Sequence, residues 1–500
     1  MRSYLFPAAA ALLLTACAGV PTHDSKLSGS LAATTRGDID EAIRTLDAQI
    51  AAGASKTDLL LNLEKGEMLR IGTRYKDSLS AFEIADQKVK EWEETAKSSP
   101  EKLMGQVGAI FMGDSSRTYE GQDYEKVMLT TRMAMNRINL GDLDTARVDI
   151  KRTHEREAVI AEFRARETSE AEKEAKEKGV TMEAKELNGY PIETLKDPEV
   201  LKLKNGYQNA LSHYLAGFVY EALNEPGLAA PGYRKAIELR PDLPVLEEGL
   251  RGLDQRTGFR RNKRVTDVLF IVESGNAPAR QSKKIQFPVP TYNGLITVSF
   301  SFPVIYPAKD PLQLNQIQLG TLAMPTALVT DFNVMARKAL QDELPGIQTR
   351  AAVRAIGKGL LQDQVNKKLG VFGGLIGNIV TAATEGEADD RMWRGLPDRV
   401  FIARGFVEPG EYDLNLPEQP DGKRSLTVDG RYMVVPVRVF RNKTYFGEPV
   451  RIGALAPAIA PVVEEAPKAA APAGKRSTKP ATPAKPAKPA APASSKKASV

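Results

Sequence analysis

The chain has 500 residues, of which 42% are hydrophobic, 6% aromatic and 26% charged, so it is long enough to bury a large core. Its net charge of +6 misleads: residues 466–500 hold eight Lys or Arg and no acid, and without them and Arg2 the body has 60 basic residues against 63 acidic ones. A body near −3 gives no ground for a nucleic-acid partner. Cys17 is the single cysteine, which excludes an intramolecular disulfide, so the fold must rest on its core.

The chain opens with Arg2 and an apolar run from Tyr4 through Leu14, too short to span a bilayer. It ends in Leu14-Thr15-Ala16-Cys17, an aliphatic residue, two small residues and a cysteine. This resembles the lipobox of bacterial lipoproteins. The resemblance implies a signal peptide over 1–16, cleavage before Cys17 and lipid (palmitate included) on that thiol. With Ala18 rather than Asp at the next position, it implies the outer membrane, periplasmic face. Residues 17–36 are small and polar and read as a tether.

From 37 to 255 the pattern is helical. In 210–243, Ala216, Gly217, Tyr220, Ala229, Tyr233, Ala236 and Pro241 fall at the signature positions of a tetratricopeptide repeat, which the segment resembles. A second match covers 59–92, with Gly66, Leu69, Tyr75, Phe82 and Ala85, and Ser78 in place of the usual Ala. A third covers 127–160, with Ala134, Gly141, Ala146 and Ile150 but without the aromatics. The stretch from Gly37 to Ile50 reads as the second helix of a degenerate leading repeat. Small residues let paired helices approach, and aromatics fill the space between them. By resemblance to repeat proteins, a partner groove falls on the first helix of each pair, at Glu67, Arg70, Met135, Asn139, Tyr214, Phe218 and Glu221. The charged run 157–178 reads as an exposed helical extension.

Residues 260–453 read as a mixed module of strands and helices. Val265 to Val272 is a buried-strand run, and Leu295 to Ile305 alternates as a half-buried strand. Val434 to Phe440 contains Pro436, which points to an edge or a bulge. Leu369 to Ala383 is Gly-rich and apolar and reads as a packed hairpin, with membrane or partner insertion as the alternative. Asp389 to Pro397, with 331–354 and 404–412, resembles a family of uncharacterised Gram-negative lipoproteins. Their amino-terminal repeats precede a C-terminal module, and they are often encoded beside lipoproteins that activate peptidoglycan synthases. The resemblance carries no catalytic residues. After Ala454 the Ala/Pro/Lys-rich sequence reads as disordered, with Pro480, Pro483, Pro486 and Pro489 in polyproline register. Its lysines offer charge to an anionic envelope polymer.

The expected fold class is therefore α+β: a TPR-like helical solenoid, a mixed β/α module and a disordered tail. The three histidines, His23, His154 and His213, form no motif, and no zinc, calcium, Walker or nucleophile-elbow pattern exists. Glu385, Glu387, Asp389 and Asp390 read as an exposed acidic turn. The expectation is a non-enzymatic scaffold without cofactor or metal that binds a protein or peptide through its repeats. The alternatives are an accessory lipoprotein of envelope assembly or polymer export acting through the C-terminal module, and a carboxylate-based cell-wall enzyme.

Overall fold

The computed structural model describes residues 22–52, 55–104, 118–177, 189–257, 264–291, 294–357 and 387–455. Cys17, the Leu369–Ala383 stretch and the tail beyond residue 455 lie outside them.

Four helical hairpins run in order among the described residues. They are α1 (His23–Arg36) with α2 (Ile39–Ala51), α3 (Leu59–Ile71) with α4 (Tyr75–Ser98), α6 (Asp123–Asn139) with α7 (Leu143–Glu177), and α9 (Ala210–Ala222) with α10 (Pro226–Leu239). Short helices α5 (Pro100–Met104), α8 (Pro198–Lys202), α11 (Pro244–Arg251) and α12 (Leu253–Thr257) connect or follow them.

One turn is used four times. Gly37, Thr73, Gly141 and Asn224 each have positive φ (101°, 58°, 77° and 65°). The residue after each donates its N–H back to a carbonyl of the first helix: Asp38 to Ala33, Arg74 to Leu69, Asp142 to Arg137 and Glu225 to Tyr220, at 2.8–2.9 Å. Such a left-handed cap satisfies the last orphan carbonyls of one helix while reversing the chain. Seven positions before the turn stands a small residue: Ser30, Gly66, Ala134 or Gly217. At Gly66 and Gly217 a Cβ would meet the rings of Phe82 and Tyr233 at 2.4 and 2.7 Å. Thus the repeats seen at 59–92, 127–160 and 210–243 are real hairpins in common register.

The tether expectation fails for residues 23–36. They form α1, the first helix of a leading hairpin whose second helix is α2. Thr22 caps α1, and Leu27, Ser30, Ala33 and Thr34 are buried. The charged extension also begins later than expected. Ile160 and Phe163 of α7 pack with Trp92 and Val127, and only past Phe163 does the helix have no buried face among its described residues.

Strands follow. Three of them, β1 (Thr266–Ser274), β7 (Arg399–Val407) and β10 (Tyr432–Phe440), form the centre of a sheet ordered β11-β10-β1-β7-β6. The edges are β6 (Ala327–Asp331) and, beside β10, both β11 (Lys443–Phe446) and β12 (Val450–Ile452). β1 lies parallel to β10 and antiparallel to β7. A smaller sheet comprises β5 (Leu322–Pro325), β4 (Gln316–Leu319), β8 (Gly410–Asn415) and β9 (Lys423–Val428). β2 (Arg280–Thr291) and β3 (Gly294–Ile305) form a long hairpin, and α13 (Phe332–Gly357) follows β6. The half-buried reading of β3 is corrected at its far end: Ser299 and Ser301 are buried along with Phe300 and Phe302.

Pro436 is not on an edge strand. It lies in β10 opposite Ile271 of β1. On the other side, β12 pairs as far as Val434 and β11 begins at Val437, so the proline falls in the gap between two neighbours. A residue without an N–H is tolerated there.

The main sheet is a middle layer. Leu269, Ile271, Val400, Ile402, Tyr432 and Val434 join the core of the helical hairpins. Val268, Phe270, Val272, Phe401, Met433 and Val435 face the smaller sheet. Strict alternation explains why β1 is buried on both faces along its whole length.

Candidate functional site

The groove-side residues of the first helices meet the sheet. Glu67 and Arg70 of α3, Met135 of α6, and Tyr214, Phe218 and Glu221 of α9 are all at most 6% exposed. Asn139 alone stays half-exposed, its amide bonded to the carbonyl of Met135. The expectation that these side chains receive a separate partner is therefore corrected for six of the seven. They line the concave side of the repeats, but β1, β7 and β10 of the same chain already cover them.

Two buried ion clusters join sheet to repeats. At one end, Glu273 of β1 meets Arg70 (3.1 Å) and Arg132 of α6, with Arg438 of β10 at 3.6 Å. Glu67 pairs with Arg132 at 3.1 Å and with Arg438 at 3.4 Å. Burial alone would raise the Glu273 carboxyl, but the three guanidiniums outweigh it and push it down to about 2. At the other end Arg404 of β7 forks onto Asp267 of β1 (2.8 and 2.6 Å) and reaches Glu221 at 2.9 Å and the Tyr233 hydroxyl at 3.0 Å. Arg256 holds the same Glu221, and Tyr233 donates to it at 2.6 Å. Burial raises Glu221, yet Arg404 and Arg256 keep it below the ordinary carboxylate range. The Arg404 guanidinium also lies 4.8 Å from the Phe218 ring centre.

Beside the Glu273 cluster, past the end of β1, the first helices hold a further piece of the chain, residues 387–397. Trp393 is fully buried, edge-on to Phe82 at 5.7 Å. Its main-chain N–H donates to Glu125 of α6 at 2.6 Å. Arg394 and Gly395 donate theirs to the two carboxylate oxygens of Glu64 of α3, at 2.5 and 2.8 Å. The Gly395 carbonyl accepts from Arg438, and the Leu396 carbonyl from Ala277. A side chain at 395 would strike Glu64, its Cβ only 2.7 Å from Oε2. Burial raises Glu64 to about 8 and Glu125 to about 7, against the lowering effect of these amide bonds. Of the acidic turn before it, Glu385 lies outside the described residues and Glu387 is exposed, but Asp389 and Asp390 are half-buried: Asp389 clasps Arg391, and Asp390 accepts the His23 main-chain N–H at 2.7 Å.

His154 and His213, about sixty residues apart in sequence, stack face to face at 4.8 Å, and His213 reaches Glu157 at 3.1 Å. Burial, and after it His213, lowers the His154 imidazole. No cluster of metal-ligating side chains exists among the described residues. No described helix is long and apolar enough to cross a membrane.

Sequence reading missed Arg132, Glu273, Asp267, Arg404, Glu64 and Glu125. The signal available was a charge at an inward position of a strand or helix, as Asp267 is within the buried-strand run and Glu273 directly after it.

No protein-family model and no curated protein matches the sequence. Among solved structures, the chain is similar to MamA at 12% identity, over 46% of this chain and 85% of that one, with a TM-score of 0.25. It is also similar to a tetratricopeptide repeat protein from Parabacteroides merdae at 13% identity, over 46% of this chain and 98% of that one, with a TM-score of 0.13. The assignment of helical repeats rests on the recurring turn and small-residue register.

Proposed function

We propose that the chain is an exported lipoprotein, anchored through lipid on Cys17 at the periplasmic face of the outer membrane. It acts there as a non-enzymatic scaffold for a protein or peptide partner in building the cell envelope. The observation that carries the scaffold reading is the array of four hairpins in one register, stiffened by a sheet that fills its groove. A closed groove moves the partner to the outer surface. Ile84 of α4, Val148 of α7 and Leu228 of α10 are 40%, 53% and 52% exposed, all on second helices of the hairpins. An open depression of about 330 Å³ between α2, α3 and α4 is lined by Ile43, Leu69, Lys65, Arg74 and Asp77.

The reading in which the C-terminal module acts alone in envelope assembly or export is less well supported, because its sheet shares the hairpins' core. The carboxylate-enzyme reading has two raised carboxyls, Glu64 and Glu125, but both are occupied by main-chain amides of the same chain.

Two measurements test the proposal. Cells fed a palmitate analogue should label the wild type and not Cys17→Ser; equal labelling of both, or none of the wild type, would falsify the anchor. A photo-crosslinker at Val148 should capture one discrete protein from intact cells. Capture only from a crosslinker placed inside the groove, at Phe218, would overturn the outer-surface reading.

A further inference from the structure

α1 changes what the anchor can do. Its cap is Thr22, five peptide units beyond Cys17. At roughly 3.6 Å per unit, the connection cannot exceed about 18 Å. A tether running to residue 36 would have reached several times farther.

α1 is fastened to the body along its length. Leu27 and Ala33 pack in one cluster with Ile43 and Leu46 of α2 and Met68 of α3. Its first turn is tied across the chain: Asp24 to Arg394 at 2.6 Å, and the His23 N–H to Asp390 at 2.7 Å. Its last turn accepts a bond from the Tyr445 hydroxyl at the Thr34 carbonyl, 2.6 Å. The last turn of α2 meets the first turn of α1, where the Gln49 amide donates to the Lys26 carbonyl at 2.8 Å. One end of the molecule therefore gathers the first turn of α1, the last turn of α2 and residues 389–394. Thr22, Ser25 and Lys26 are exposed there.

We propose that this end is a membrane-apposed face: a lipid surface covers it, and the body stands on the bilayer through α1 as a short rigid strut. The inference rests on lipidation of Cys17, since the reach is measured from that residue. It confines any partner to the layer next to the membrane. The occupant is a bilayer rather than a protein because the five-unit connection leaves about 18 Å at full stretch, too little for a folded domain between strut and headgroups.

The experiment uses full-length lipidated protein in vesicles of phosphatidylethanolamine and phosphatidylglycerol containing a nitroxide headgroup lipid. The Cys17 thiol is consumed by lipid, so a fluorophore attached to Ser25→Cys reports a single position. Lys26→Cys serves as a second variant if the first fails to fold. Native spacing should give strong quenching. Insertion of about 20 Gly/Ser residues after Ala18 raises the mean span to about 25–30 Å and should remove most of it. Equally weak quenching with and without the insert overturns the apposed face. Failure of the protein to float with vesicles instead removes the lipid anchor on which the inference rests.

Discussion

At the scale of single residues, the hairpins are set by space and the groove by charge. Gly217 faces the Tyr233 ring so closely that any Cβ would sit 2.7 Å from it. Tyr233 cannot retreat, because its hydroxyl is held by Glu221 and Arg404. Gly217→Leu should therefore cost about 1–3 kcal/mol of stability through overpacking; a thermal melt identical to wild type would show that the two helices do not touch there. Glu64 and Glu125 make a second, pH-dependent prediction. Each is raised in the fold, to about 8 and about 7, from an ordinary value of 4.5. A carboxyl that keeps its proton longer when folded contributes stability below its unfolded pKa and loses it as pH rises through the folded one. Stability should thus decline between about pH 5 and 8, and Glu64→Gln, which cannot ionise, should flatten that decline. Urea midpoints at a series of pH values would decide it, and parallel slopes for both proteins would count against the buried-acid assignment.

At the scale of elements, legibility followed the chemistry of each contact. The hairpins at 59–92 and 210–243 were readable because Gly66 with Phe82, and Gly217 with Tyr233, leave a small-and-aromatic signature sixteen positions apart. The hairpin at 127–160 uses Ala134 and Ile150 in the same places and gave a fainter signal. α1 was unreadable because it has no aromatic residue and carries Ser, Thr and Gly throughout; Leu27, Ala33, the Ser30 hydroxyl bonded to the Ala42 carbonyl and the polar ties at its two ends fix it. Such a helix is made by tertiary burial rather than by propensity. The groove positions were correctly placed on the first helices, but their occupant was not, because nothing local tells a strand that it will cover a helix two hundred residues away. The decisive test of α1 is Leu27→Asp. Leu27 is 1% exposed among apolar neighbours, so a carboxylate there loses its packing and finds no partner. A loss of at least about 2–3 kcal/mol is expected, whereas the same change in a free tether would leave the melting curve where it was.

At the scale of the whole molecule, repeats and sheet behave as one core rather than two domains on a linker. Leu269, Ile271, Val400 and Ile402 of the sheet pack in the same cluster as Met128, Leu215 and Phe218 of the hairpins. Buried ion clusters sit at both ends of that contact, and breaking one side of such a pair strands the other charge at a cost of about 3–5 kcal/mol. Neither half then has a low-energy separated state: the hairpins alone would expose Phe218 and Tyr214 and take Glu273 from Arg70 and Arg132, and the sheet alone would take Glu221 from Arg404 and Glu67 from Arg438 beside exposed apolar strands. Unfolding should accordingly be a single transition for residues of both halves. The chain's two tryptophans allow this to be measured. Trp92 is buried within the hairpins against Phe163 and Val127, away from the sheet, whereas Trp393 lies in the groove itself. In a Trp393→Phe variant, Trp92 fluorescence reports the hairpins alone, while pulsed amide hydrogen exchange of the β1 and β10 strands reports the sheet. The two urea curves should coincide in midpoint and slope. If the strand signal is lost while Trp92 remains buried, the groove is a reversible contact between independent domains, and its six covered residues become available to a partner after all.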